Sequence, residues 1–156
     1  IEGGVETVLL ETMGHIDEIN IALDATKNIS TVWLSLIIND RNHLLSGHRL
    51  SEIYALEIER LTCLMLNCNT IRLTNESLDS FIDNRILNWG IYPNLGLTQP
   101  QIDGEMIDIV DNETFNNSMI TYLEKQPFII GACCGSTPDH IRIIKDLIIK
   151  KINLLD

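Results

Sequence analysis

The chain has 156 residues, 45% of them hydrophobic, which is enough for one domain with a real core and far from a disordered composition. A formal net charge of −11, with no Lys/Arg cluster anywhere, argues against nucleic acid and anionic membrane surfaces as partners. No apolar run approaches the ~20 residues that span a bilayer, and the opening "IEGGVETVLLETM" carries Glu2 and Glu6 where a signal peptide has basic residues.

Five strand–helix units follow one another along the chain. "TVLLETM" is a short apolar strand that ends on a carboxylate, and "HIDEINIALDATKN" sets Ile16, Ile19 and Leu23 at helical spacing. "STVWLSLII" is a second buried strand; the polar loop "NDRNHLLSGHR" then leads into a helix over "LSEIYALEIERL". "TCLMLNCN" is the third strand, and "NESLDSFIDNRIL" a helix with Leu78, Phe81, Ile82 and Ile86 on its apolar side. "WGIYPN" is the fourth strand, followed by a long loop from Leu95 to about Asn112. "ETFNNSMITYLEK" places Phe115, Met119 and Leu123 on one helix face; "FIIGACC" is the fifth strand and "PDHIRIIKDLIIKKI" the closing helix.

Continuous apolar strands alternating with helices predict a parallel sheet covered by helices. An open doubly wound sheet and a (β/α) barrel both satisfy that pattern, but no strand is followed by Gly-x-Gly-x-x-Gly, which weakens the dinucleotide-binding form. The reactive residues decide for the barrel. Glu11, Cys68, Tyr92, Asn94, Cys133 and Cys134 all fall at the carboxyl ends of strands, where barrels do chemistry. The expected fold is α/β, a partial (β/α)8 TIM barrel of five βα units, since a full barrel has eight strands and typically ~250 residues.

Four cysteines are present, Cys63, Cys68, Cys133 and Cys134, in a chain with no sign of secretion; a reduced cytoplasmic setting is expected. Cys68 in "LNCN" and the pair in "GACCG" can bring three thiolates to one ion. Adjacent residues of a regular strand face opposite ways, so the strand must break there, and Gly135 offers the break. Three sulfurs suit Zn²⁺, and an open fourth position marks a catalytic site, where a substrate thiol loses its proton to the metal. Two other readings stand beside that one. Free cysteines are often plain core, which is the expectation for Cys63, and Cys133 with Cys134 forms a redox couple only through a strained disulfide.

Four motifs in order, "LLETM", "MLNC", "GIYPNLG" and "GACCGSTPDHI", resemble the homocysteine S-methyltransferase family over essentially the whole chain. The resemblance implies zinc held by Cys68, Cys133 and Cys134, homocysteine and a small-molecule methyl donor as partners, and methyl transfer to the homocysteine thiol to form methionine. It places the substrate amino group at Glu11; Asn67, beside Cys68, is the second substrate-binding candidate. No catalytic side chain is expected beyond zinc activation of the thiol. Two departures stand out. Ala132 replaces a customary glycine, and the glycine-rich first strand has no counterpart, so residues 1–156 are expected to be a single homocysteine-binding domain carrying strands four to eight. Alone, such an open sheet is expected not to turn over. A half-barrel that keeps zinc as an inactive scaffold is the alternative.

Other residues have simpler expectations. Pro93-Asn94-Leu95-Gly96 reads as a turn, and Thr137-Pro138-Asp139 as N-cap, first helical residue and dipole-favoured acid. His140 reads as a partly exposed helical residue, Trp33 and Trp89 as packing, and Glu52, Glu57 and Glu59 as solvated faces; His15, His43 and His48 form no ligand spacing.

Overall fold

The computed structural model describes residues 4–56, 58–83, 88–98, 106 and 108–153. Among them five parallel strands form one sheet: β1 (Thr7–Met13), β2 (Thr31–Leu36), β5 (Leu61–Thr70), β6 (Asn88–Asn94) and β7 (Ile129–Ile130), in the spatial order β1-β2-β5-β6-β7. A small antiparallel hairpin, β3 (Ile38–Asp40) with β4 (His43–Leu44), interrupts the second connection. The helices are α1 (Ile16–Ala25), α2 (Leu50–Tyr54), α3 (Ile71–Asp83), α4 (Asn112–Glu124) and α5 (Pro138–Asn153).

Each sheet strand lies beside its predecessor in sequence. A doubly wound sheet reverses direction at a switch point, whereas a barrel never does, so the order itself identifies an arc of a (β/α) barrel. Right-handed crossovers in one direction put every helix on the same face. On that face Leu34, Leu64 and Trp89 lie in one register row, and Leu36, Leu66 and Ile91 in the next. All six are buried in one apolar cluster with Ile19 and Leu23 of α1, Phe81 of α3, Phe115 and Tyr122 of α4 and Ile144 of α5.

The opposite face carries the alternate residues. Leu9, Trp33 and Cys63 share a row, then Ser35, Met65, Gly90 and Ile129. A Cβ on Gly90 would come within 2.7 Å of Met65 Cγ and 2.9 Å of Ile129 Cβ, so glycine lets the three strands close up. This face is partly open: Leu9 is 40% and Phe128 60% exposed, with Phe128 set edge-on to Trp33 at 6.2 Å.

Several boundaries differ from expectation, each for a local reason. The loop after β2 holds the hairpin, and the helix over residues 50–61 stops at Tyr54 because the chain turns through Leu56 N–H to Ile53 C=O and Leu61 N–H to Ile58 C=O. Helix α3 starts at Ile71, four residues early, since Thr70 Oγ1 accepts the Leu73 N–H at 3.2 Å and caps it directly at the strand end. The fifth strand is regular only over Ile129–Ile130. The chain nevertheless runs on beside β6, with Gly131 N–H bonded to Ile91 C=O at 2.9 Å and Cys133 N–H to Pro93 C=O at 2.8 Å. Ile86, Glu57 and much of the long loop lie outside the described residues, but the base of that loop is pinned by Leu97 N–H to Asp108 C=O and Val110 N–H to Leu95 C=O. Among the described residues no helix is long and apolar enough to cross a membrane.

Candidate metal centre

Two bulges build the carboxyl end of the sheet. Between Leu10 and Met13 of β1, three residue steps run against two in β2, and between Asn67 and Thr70 of β5, three run against two in β6. Each bulge holds one non-glycine residue in the left-handed region: Thr12 at φ 59° and Cys68 at φ 54°. Such backbone costs on the order of 1–3 kcal/mol and persists where neighbours over-determine it.

Those neighbours are visible. Ser35 Oγ accepts the Thr12 N–H at 3.1 Å and the Tyr92 hydroxyl at 2.6 Å, and donates to Asn67 Oδ1 at 2.9 Å. Asn67 Nδ2 donates to Thr12 Oγ1 at 2.6 Å. One hydroxyl with all its valences engaged thus ties β1, β2, β5 and β6. A second amide, Asn69, accepts from Ile38 N–H and donates to the carbonyls of Leu36 and Asn67. Asn67 and Asn69 are fully buried. Sequence reasoning missed Thr12, Ser35 and Asn69; the signal was polar residues at the ends of apolar runs.

The thiols meet above this network. The Sγ atoms of Cys68, Cys133 and Cys134 lie within 4.8 Å of one another, with Cys68 to Cys134 at 3.6 Å and Cys133 to Cys134 at 3.9 Å. The expected break in the fifth strand comes earlier than Gly135, after Ile130, so neither cysteine of the pair is constrained to the alternation of a regular strand. Gly135 closes the turn at φ +78°, and Ser136 N–H bonds back to Cys133 C=O at 3.1 Å. Cys63 is fully buried and outside the cluster; burial pushes its thiol up to about 11. All four cysteines are free thiols.

Close approach divides the protons unequally. The hydrogen bond from Cys68 draws the Cys133 thiol down to about 6, while that same interaction, together with burial, holds the Cys68 thiol protonated well above its ordinary range. Burial also raises Cys134. In the metal-free chain, alkylation of Cys133 is therefore expected to rise with pH through a midpoint near 6, as thiolate replaces thiol, while Cys63 stays inert. Peptide mass spectrometry across about pH 5 to 9 checks it; a Cys133 that reacts only above about pH 8, like an ordinary thiol, contradicts it.

Glu11 lies within β1 and is exposed, where its carboxylate bears on the Tyr92 hydroxyl and the Cys133 thiol and opposes ionisation of both. Burial is the larger cause of the raised Tyr92 hydroxyl. Asn94 makes the turn bond read from sequence, accepting the Gly96 N–H at 3.0 Å, and is also fully buried, its Nδ2 donating to the Cys68 carbonyl at 2.6 Å. One expectation is corrected. His140 is buried rather than partly exposed: its Nδ1 accepts the Thr137 N–H at 3.0 Å and its ring stands edge-on to Phe115 at 4.9 Å. That ring does at the start of α5 what a capping-box glutamate does elsewhere.

The donor set fits zinc. Four ligands at ~2.3 Å in a tetrahedron stand about 3.8 Å apart; the Cys68–Cys134 and Cys133–Cys134 separations bracket that value, and all three sulfurs lie within 4.8 Å of one another. An arc of a (β/α) barrel with a three-thiol cluster at its carboxyl face defines the class of site. The homocysteine S-methyltransferase family model matches residues 1–148, and the chain belongs to that family. It is 25% identical over 137 residues to the selenocysteine methyltransferase of Astragalus bisulcatus, covering 85% of this chain and 39% of that protein. It is 23% identical over 158 residues to the homocysteine S-methyltransferase of Escherichia coli K12, covering 93% and 48%. The apo crystal structure of the E. coli homocysteine methyltransferase MmuM superposes with a TM-score of 0.73 at 22% identity, over 94% of this chain and 51% of that one. Its metallated form gives 0.73 at 23%, over 93% and 46%. The chain spans about half the length of these relatives.

Proposed function

We propose that this chain carries the zinc-binding half of an enzyme that transfers a methyl group to the thiol of homocysteine, forming methionine. The observation that supports it most is the spacing of three free thiols on the carboxyl face of the sheet, close to that of a zinc tetrahedron. Cys68, Cys133 and Cys134 would hold the ion, which supplies the Lewis acidity that lowers the pKa of a substrate thiol.

The chain's own residues do the rest. Glu11, exposed beside the cluster, offers its carboxylate to the substrate ammonium. Asn67 acts at one remove, since both ends of its amide are engaged by Thr12 and Ser35; it keeps β1 and β5 in register so that Glu11 and Cys68 face one space. The thiol sulfur then forms its bond to the methyl carbon as the donor–methyl bond breaks, and alignment of the two supplies much of the rate.

The experiment is methionine formation from homocysteine and a methyl donor, with the remaining βα units of the barrel present. Turnover that chelation abolishes and zinc restores is expected. Equal turnover by metal-stripped protein would sink the reading. This chain by itself is expected to bind zinc without turning over, because part of the substrate site is contributed by the remaining barrel.

A further inference from the structure

Resting on the zinc reading above, we infer that Pro93-Asn94-Leu95, at the end of β6, is the splint that sets the three thiols in register, with Asn94 its positioning residue. Cys68 sits on β5, and Cys133 and Cys134 follow β7; β6 lies between them in the sheet. The thiols can converge only over the end of β6.

Three consecutive residues there touch the peptide groups of all three cysteines. Asn94 Nδ2 donates to the Cys68 carbonyl at 2.6 Å, Pro93 C=O accepts the Cys133 N–H at 2.8 Å, and Leu95 N–H donates to the Cys134 carbonyl at 2.9 Å. The Gly96 N–H donates to Asn94 Oδ1 at 3.0 Å, which fixes which end of the amide faces Cys68. Asn94 and Leu95 are fully buried, so the bonds form away from competing water. A turn asparagine needs only the Gly96 bond. The reach to Cys68, 26 residues away, has another purpose: it meets the carbonyl that the left-handed bulge at Cys68 turns out of the ladder. Asn94 touches no reacting atom and acts through the geometry of the ligand set.

The test is Co²⁺ titration of the 156-residue chain, read by the thiolate-to-metal charge-transfer absorption. Asn94→Asp keeps the acceptor for Gly96 and turns an oxygen toward the Cys68 carbonyl; Asn94→Ala removes both bonds. Each is expected to weaken Co²⁺ binding about 10- to 100-fold, with the absorption falling toward that of two thiolates. Tyr122→Phe removes a buried hydroxyl bond from α4 to Asn75 of α3 that involves none of the three cysteines, and serves as control. It is expected to lower the melting temperature while binding Co²⁺ as the parent does. Parental affinity in a folded Asn94→Asp, or equal loss in Tyr122→Phe, overturns the splint. A parent chain without the charge-transfer band overturns the zinc reading, and the splint with it.

Discussion

Serine in place of Cys133 is expected to lower zinc affinity by two to three orders of magnitude, and the same change at Cys68 or Cys134 to act alike. Structural zinc sites bind with ~10–16 kcal/mol shared over four ligands, so one thiolate is worth about 2.5 to 4 kcal/mol. A hydroxyl is too hard and too basic to replace it. Cys63→Ser separates ligand loss from damage to the fold: Cys63 is fully buried, so serine there destabilises, yet it lies outside the cluster and zinc content should stay at parental stoichiometry. Competition against a chelator of known affinity reads both. Full zinc retention in Cys133→Ser with loss in Cys63→Ser would reverse the assignment.

The second effect is at Glu11. Glu11→Gln keeps the size of the side chain but removes the charge that, under the proposed function, would meet the homocysteine ammonium. Glu11 is exposed, where such a charge pair is worth about 0.2–1 kcal/mol, so a rise in KM of up to about 5-fold is expected. Zinc content and kcat should hold near parental values, because Glu11 is no ligand. Steady-state kinetics in the protein with its remaining barrel strands checks this. An unchanged KM with a lowered melting temperature would make Glu11 a stabilising residue only.

The parts of this architecture that depend on neighbours in sequence were legible there. Short apolar runs bounded by polar residues read as strands, so "TVLLETM" and "WGIYPN" were located to within one residue. Amphipathic spacing found α4, although Tyr122, fully buried, was hidden behind the neighbouring Leu123. What depends on contacts between distant strands was not legible. The bulges at Thr12 and Cys68 exist because Ser35, Asn67 and Asn94 hold them, across separations of 23 to 55 residues. Asn94 looked like turn chemistry because its local bond to Gly96 is turn chemistry; only the fold supplies its second partner. His140 was read as partly exposed because histidine is polar and starts a helix; its burial comes from packing against Phe115 of α4.

The central claim is that Cys68, Cys133 and Cys134 hold one zinc ion with a position open for a substrate thiol. X-ray absorption at the zinc edge measures that ligand set directly, with the remaining βα units of the barrel present for the homocysteine arm. The predicted result is three sulfurs at ~2.3 Å and one lighter atom, with the lighter atom replaced by a fourth sulfur when excess homocysteine is added. A shell with two or fewer sulfurs, or one that homocysteine leaves unchanged, contradicts it.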